Sequence, residues 1–266
     1  MRMKNAWGLL LLPALLAGCG LFLPVRNEPD WRPENDLSWQ IQLSVPPQAD
    51  PLDVDLYDVD LYDTSAETVA AYKARGITMI CYFSAGSWED WRPDAGDFPP
   101  EVLGKDYVGW AGEKWLDIRN LDALEPIMRA RLELCRDKGF DGADPDNMDS
   151  HTNDTGFPLT AEDQLRYNRF IADLAHSLGL QVGLKNDPEQ AVELEPWFDF
   201  MVTEDCFDQG WCGLAQPFAR AGKPVLMIEY TDLGAKVGEF CPAAQAWNYQ
   251  ALLKKRDLGE WRQPCW

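Results

Sequence analysis

Polar and acidic groups that follow short apolar runs are the residues here best placed to do chemistry. Such runs end at Asp60 and Asp63, at Ser84-Ala85-Gly86-Ser87-Trp88, and at Asp144-Pro145-Asp146-Asn147. Others end at Lys185-Asn186-Asp187, at Glu204-Asp205 and at Glu229-Tyr230. Histidine is scarce, with only His151 and His176. There is no GxSxG, so acyl transfer by a Ser-His-Asp triad lacks its signature. Carboxylates suit glycoside hydrolysis instead. One carboxyl protonates the leaving oxygen, and the other attacks the anomeric carbon or activates water. Trp88, Trp91, Trp110 and Trp211 supply flat apolar faces for sugar rings. Asp141, Asp144, Asp146, Asp149 and Asp154 also raise calcium as a secondary expectation, although the EF-hand pattern fails for want of its central Gly and terminal Glu.

Strand-like runs at 39–43, 53–62, 77–84, 140–144, 181–185, 198–203 and 225–229 position these groups. Helical patterns at 65–75, 121–138, 161–178, 213–221 and 242–255 lie between them. Thr160 reads as an N-cap, and Gly76, Gly139, Gly179 and Gly222 as left-handed C-caps. A short strand is also expected at 115–118. This βαβα order argues for a parallel sheet covered by helices. With a weak eighth strand near 258–261, the expected fold is an α/β (β/α)8 TIM barrel, with catalysis at the carboxyl ends of its strands. An open doubly wound sheet is the alternative. No GxGxxG follows a strand, which weakens a dinucleotide-binding version.

The chain has 266 residues, 46% of them hydrophobic, so a disordered chain is excluded. A net charge of −20 disfavours nucleic acid and makes a cation the attractive partner. Arg2 and Lys4 precede an apolar run at 6–17 that is too short to span a bilayer. Leu16-Ala17-Gly18-Cys19 resembles a bacterial lipobox. Residues 1–18 are therefore expected to be a lipoprotein signal peptide, Cys19 the lipidation site, and 19–38 a membrane-proximal tether. A single catalytic domain is expected over 39–266. Gly20 rather than Asp after the cysteine resembles outer-membrane lipoproteins and so implies onward sorting, and the expected location is the cell envelope, facing the periplasm or on the outer membrane. Six further cysteines in an exported chain imply disulfides, and six allow 15 pairings. The favoured set is Cys81–Cys135, Cys206–Cys212 and Cys241–Cys265. With no CxxC and two histidines, zinc is not expected, and beyond the secondary calcium reading no metal or cofactor is expected.

Several segments taken together resemble glycoside hydrolase family 114. They are Trp39-Gln40-Ile41-Gln42-Leu43, Ile80-Cys81-Tyr82-Phe83-Ser84-Ala85-Gly86-Ser87 and Asp141-Gly142-Ala143-Asp144-Pro145-Asp146-Asn147. Gly183-Leu184-Lys185-Asn186-Asp187 and Glu204-Asp205-Cys206-Phe207 complete the set. That family comprises endo-α-1,4-polygalactosaminidases with a (β/α)8 barrel. The resemblance implies that Glu204 is the general acid/base and Asp146 the nucleophile or oxocarbenium stabiliser. It implies that Asp60, Tyr82, Ser84, Asp144, Asn147, Lys185, Asn186 and Glu229 line the pocket. Trp88 and Tyr230 join them as expected substrate contacts. The family usually has Glu-Pro-Asp-Asn where this chain has Asp144-Pro145-Asp146-Asn147, and Asn-Glu-Gln-Cys where it has Thr203-Glu204-Asp205-Cys206. The expected substrate is a cationic or partly acetylated amino-sugar polysaccharide, with Asp60, Asp144 and Glu229 as candidates to pair its amine. No obligate protein partner is expected. The alternatives are a hydrolase or transglycosylase on another α-linked glycan, or a non-catalytic carbohydrate-binding barrel.

Overall fold

The computed structural model describes residues 37–266. The expected signal peptide, Cys19 and nearly all of the tether lie outside the described residues. Leu37 is buried, and Ser38 donates through N–H and Oγ to Asp55 Oδ2 at 2.7 Å, so these two residues pack on the domain.

Eight parallel strands form the sheet: β1 (Trp39–Gln42), β2 (Leu56–Asp60), β3 (Thr78–Ser84), β4 (Gly142–Asp146), β5 (Gln181–Lys185), β6 (Phe200–Glu204), β7 (Val225–Tyr230) and β8 (Gln250–Lys254). Each pairs with the next in sequence order. Helices α1 (Ala66–Lys73), α2 (Leu121–Lys138), α3 (Ala161–Ser177), α4 (Ala191–Leu194), α5 (Gln216–Arg220) and α6 (Val237–Trp247) lie in the connections. The result is a nearly closed TIM barrel, as expected. The helices end where local chemistry directs. Thr160 and Asp163 form a reciprocal capping box at the start of α3. Gly139 closes α2 at φ 90°.

Three expectations need correction. Strand β8 lies at Gln250–Lys254, not near 258–261, and α6 stops at Trp247 instead of running to 255. Asn248 adopts a left-handed φ of 60°, which ends the helix. All five residues of the following QALLK are buried, as in a strand covered on both faces. The strand expected at 115–118 belongs instead to a small antiparallel sheet between β3 and α2, made of Ser87–Glu89, Leu103–Asp106 and Glu113–Leu116.

Among the described residues no backbone ladder joins β8 to β1. A short strand, β9 (Arg262–Pro264), runs back antiparallel along the edge of β8. Side chains bridge the seam. Trp39 Nε1 donates to the Gln250 carbonyl at 2.9 Å, Lys254 Nζ to Gln40 Oε1 at 3.0 Å, and Arg262 Nη1 to the Trp39 carbonyl at 2.6 Å.

Alternation along the strands sorts the core in two. Val59, Met79, Cys81, Phe83, Leu184 and Met227 belong to the large apolar cluster that also contains residues of the covering helices. Residues of the opposite parity, including Ile41, Leu56, Ile80, Phe200, Val202 and Ile228, fill the barrel interior. Asp58, Asp60, Tyr82, Ser84, Asp144, Asp146, Lys185, Glu204 and Tyr230 share that inward parity. The barrel lining is therefore apolar toward one end and polar toward the carboxyl end. Gly183 is also inward, and a Cβ there would meet the Phe200 ring at 2.3 Å.

The three expected disulfides form. Cys81–Cys135 ties β3 to α2, Cys206–Cys212 closes the turn after β6, and Cys241–Cys265 ties α6 to the residue after β9. The last secures the strand that flanks the seam. Replacing Cys241 and Cys265 together by Ser is expected to cost about 2–4 kcal/mol in urea-induced unfolding, because a loop of this size loses its entropic restraint. An unchanged midpoint would show that the seam does not depend on this tie.

Candidate active site

Strand ends build the site. Asp146 is the last residue of β4, Lys185 of β5 and Glu204 of β6. Each is followed at once by an Asn or Asp with left-handed backbone: Asn147 at φ 63°, Asn186 at 52° and Asp205 at 54°. Asn and Asp tolerate this region better than other side-chain-bearing residues. Three successive strands thus turn sharply just past a charged group. Gly86 brings β3 close enough for the Ala85 and Gly86 N–H groups to donate to the Asp146 carbonyl at 2.9 and 3.0 Å. A Cβ at Gly86 would meet the Asn147 carbonyl oxygen at 1.8 Å.

Lys185 is almost fully buried, and its Nζ sits between the two expected catalytic groups. It lies 3.2 Å from Asp146 Oδ1, 3.3 Å from Glu204 Oε2 and 3.7 Å from Asp144 Oδ2. Burial works against its charge, but Asp146, Glu204 and Asp144 override this and hold its pKa well above the ordinary lysine value. Asp146 also accepts from the Tyr82 hydroxyl at 2.7 Å and from the Asn147 N–H at 2.8 Å. Glu204 accepts from the Tyr230 hydroxyl, and its N–H donates to Asn186 Oδ1 at 2.9 Å. Burial raises both phenols well above their usual range, so they remain donors. The Arg256 guanidinium carbon lies 3.7 Å from the centre of the Tyr230 ring, and its Nη1 pairs with Asp205 at 2.7 Å. Arg256 thereby fixes the ring that reaches Glu204.

These groups open on a cavity of about 660 Å³, within the usual range of ligand sites. Asp146, Glu204, Asp60, Tyr82, Asn147, Lys185, Asn186 and Tyr230 line it. Trp91 and Trp110 line it from half-exposed positions, and Trp211 is also on the wall. The other expected contacts lie behind the cavity surface. Ser84 Oγ is hydrogen-bonded to Ser87 Oγ and Asn147 Nδ2. The Trp88 indole N–H donates to the Ala95 carbonyl. Asp144 is buried under Lys185. Glu229 accepts from the backbone N–H groups of Phe207 and Asp208, so it braces the turn after β6.

None of the three candidates for pairing a substrate amine is without a contact in the protein. Asp144 and Glu229 are committed to these internal contacts, and Asp60 pairs with Arg92 at 2.7 Å. The calcium-like aspartates are not gathered either. Asp141 pairs with Lys73, Asp154 with Lys105, and Asp146 with Lys185.

Sequence reasoning missed the cavity residues Arg92, Tyr107, Glu113 and Arg256, and it named Asp149 and Asp187 without assigning them to the substrate. Tyr107 and Glu113 come from the small antiparallel sheet, where no apolar run announces a strand end. Burial first, then the charge of Glu89, raises Glu113 to about 8. Burial first, then Asp149, raises Asp187 to about 8. Both acids hold their protons in the native state at a pH where the unfolded chain has lost them. Their contribution to stability is therefore fully present below the ordinary carboxyl range and is lost as pH rises through about 8. The melting temperature is expected to drop between pH 5 and 8, and Glu113→Gln should flatten that slope. An identical slope in the variant would refute the assignment.

Comparison with known proteins follows the same lines. The model of glycoside-hydrolase family GH114 matches residues 23–266. The crystal structure of Aspergillus fumigatus Ega3, solved in complex with galactosamine, is 35% identical. The match covers 91% of this chain and all of that one, with a TM-score of 0.84. The glycoside hydrolase domain of PelA from Pseudomonas aeruginosa shares the fold at 15% identity, covering 85% of this chain and 97% of that one, with a TM-score of 0.67. No curated protein matches the sequence.

Proposed function

This chain belongs to glycoside-hydrolase family GH114, and from that premise we propose that it cleaves an α-1,4-linked, galactosamine-containing polysaccharide with Asp146 and Glu204 as its catalytic carboxyls. The observation that carries this reading is the shared ammonium: one buried Lys185 nitrogen lies within 3.3 Å of an oxygen from each group. Those two oxygens are therefore no farther apart than twice that distance. Retaining glycosidases separate their carboxyls by about 5–5.5 Å and inverting ones by about 6.5–9.5 Å, so this bound admits the retaining geometry and only the lower edge of the inverting one, and we take the reaction as retaining.

In the first step Glu204 gives its proton to the glycosidic oxygen as the bond from that oxygen to the anomeric carbon breaks. Asp146 attacks that carbon and forms a glycosyl ester. In the second step Glu204 takes a proton from water, the water oxygen bonds to the anomeric carbon, and Asp146 leaves as carboxylate. Lys185 offsets the charge on Asp146, and Tyr82 orients it. Tyr230 fixes Glu204.

The substrate class rests on charge and on the relative. The chain is strongly acidic, and the Ega3 structure holds galactosamine. Asp149 lines the cavity and is the carboxylate we assign to the substrate amine. Trp91 and Trp110 would stack on rings along the polymer. Protein lacking residues 1–19 would be incubated with de-N-acetylated and acetylated polygalactosamine, with neutral α-glucans as controls. Oligomer release from a galactosamine polymer, slowing as salt is raised, is expected. Release from an α-glucan alone would move the activity to another α-linked glycan. No release from any polymer would favour the non-catalytic reading.

We also propose that Cys19 is lipidated and holds the enzyme in the cell envelope, where a substrate of this class would be an exopolysaccharide. Cys19→Ser should shift the protein from the membrane fraction to the soluble one. Unchanged fractionation would remove the anchor.

A further inference from the structure

The barrel interior holds a fully buried acid, Asp58, to which the hydrolysis assigns no step. Asp58 lies on β2 with inward parity, two residues below Asp60, and is fully buried. Its carboxyl is within hydrogen-bonding reach of Asp144, which is equally buried. No N–H or hydroxyl donor reaches any oxygen of either carboxyl. Lys185 Nζ stands above Asp144 at 3.7 Å, close enough to attract it but too far for a hydrogen bond. Two carboxylates in contact in a buried interior cannot both stay ionised, and a proton between them supplies the missing donor.

We propose that Asp58 is a positioning residue: it carries a proton donated to Asp144, keeps Asp144 ionised beneath Lys185, and so holds the ammonium between Asp146 and Glu204. This rests on the reading of Asp146 and Glu204 as the catalytic pair. The charged groups facing Asp58 are Asp144 and Asp146 from β4 and Lys185 from β5. Two of the three are negative, and the single cation lies nearer Asp144, so the proton belongs on Asp58. Burial first, and then the Asp144 charge, push Asp58 well above the ordinary carboxyl range. Burial also raises Asp144, but Lys185 and the Asp58 hydrogen bond restrain it to about 6. Without the shared proton, four carboxylates would crowd one ammonium.

Asp58→Asn keeps an N–H donor toward Asp144, and Asp58→Ala removes it. The Asn variant is expected to retain kcat within about threefold, whereas the Ala variant loses about 10–100-fold with KM nearly unchanged. In the Ala variant Asp144 takes the proton itself. The acid limb of its pH–rate profile should therefore move to higher pH, with activity partly recovered as pH rises. An Ala variant matching wild type in kcat and acid limb would overturn the proposal, as would an Asn variant that loses as much as the Ala variant. If the Ala variant does not fold, the Asn variant and a second measurement decide. In wild-type protein labelled with ¹³C at aspartate carboxyls, a resonance besides that of Asp187 should stay in its protonated position through neutral pH and vanish in Asp58→Asn. Its absence from the wild type would refute the shared proton. That measurement uses no substrate, so an error in the substrate class would leave its result intact.

Discussion

Glu204→Gln is expected to lower kcat by about 10²–10⁴-fold on a polysaccharide while the barrel stays folded. Glutamine keeps the shape and still accepts from Tyr230, but it has no proton to give the leaving oxygen. The loss should shrink on an aryl glycoside, whose leaving group departs without protonation. Asp146→Asn should lose as much or more on both substrates, because attack on the anomeric carbon is needed whatever leaves. The contrast between substrates distinguishes the two roles. Near-native turnover in either variant would remove that residue from the chemistry. Equal losses for Glu204→Gln on both substrates would remove it from the acid role. The two substitutions together should cost far less than the product of their separate effects, since the groups act as a unit.

Lys185→Met is the other large effect. Removing the ammonium leaves Asp144, Asp146 and Glu204 facing one another with no cation between them. Breaking a buried ion set in this way typically costs about 3–5 kcal/mol. The lower end applies, because Asp146 and Glu204 are partly exposed and water screens their repulsion. Activity should be lost as well, since Asp146, the ionised nucleophile, then has no fixed counter-charge. The pH dependence gives the sign. The native lysine has a raised pKa, so its stabilisation is present below about pH 10.4, the unfolded value, and is lost as pH rises through the native one. In the variant, the crowded carboxyls are relieved as they take up protons. Its deficit in urea unfolding should therefore be smaller at pH 5 than at pH 7. A deficit that is constant with pH would mean the cost is packing and not charge.

The barrel was legible because its signals are local and repeated. Apolar runs of strand length alternate with capped helices, and Thr160, Gly139 and Gly179 mark helix ends by chemistry that needs no tertiary partner. The eighth strand was misplaced because a run of Ala, Leu and Lys fits a helix as well as a buried strand, and only the left-handed Asn248 separates them. At the site, Asp146, Lys185 and Glu204 could be read because each closes an apolar run. Glu113 and Tyr107 could not, since their sheet is an excursion whose position depends on the folded barrel. Asp58 was hidden by a different cause. In DVDLYDVDLY the usual reading sends acids to solvent and apolar residues inward. In β2 the acids face inward, and Tyr57 and Val59 join the apolar layer shared with the helices. Polarity alone does not tell the inside of a barrel from its outside.

The polar lining of the barrel places catalytic need and heat tolerance in opposition. Buried ion sets can often be exchanged for well-packed apolar groups with no loss, or a gain, in stability. Asp58, Asp144 and Lys185 are such a set, with a fully apolar layer of Ile80, Phe200, Val202 and Ile228 already in the interior. A lineage selected for thermal endurance alone would tend to convert all three together, arriving at a sturdier and inert scaffold.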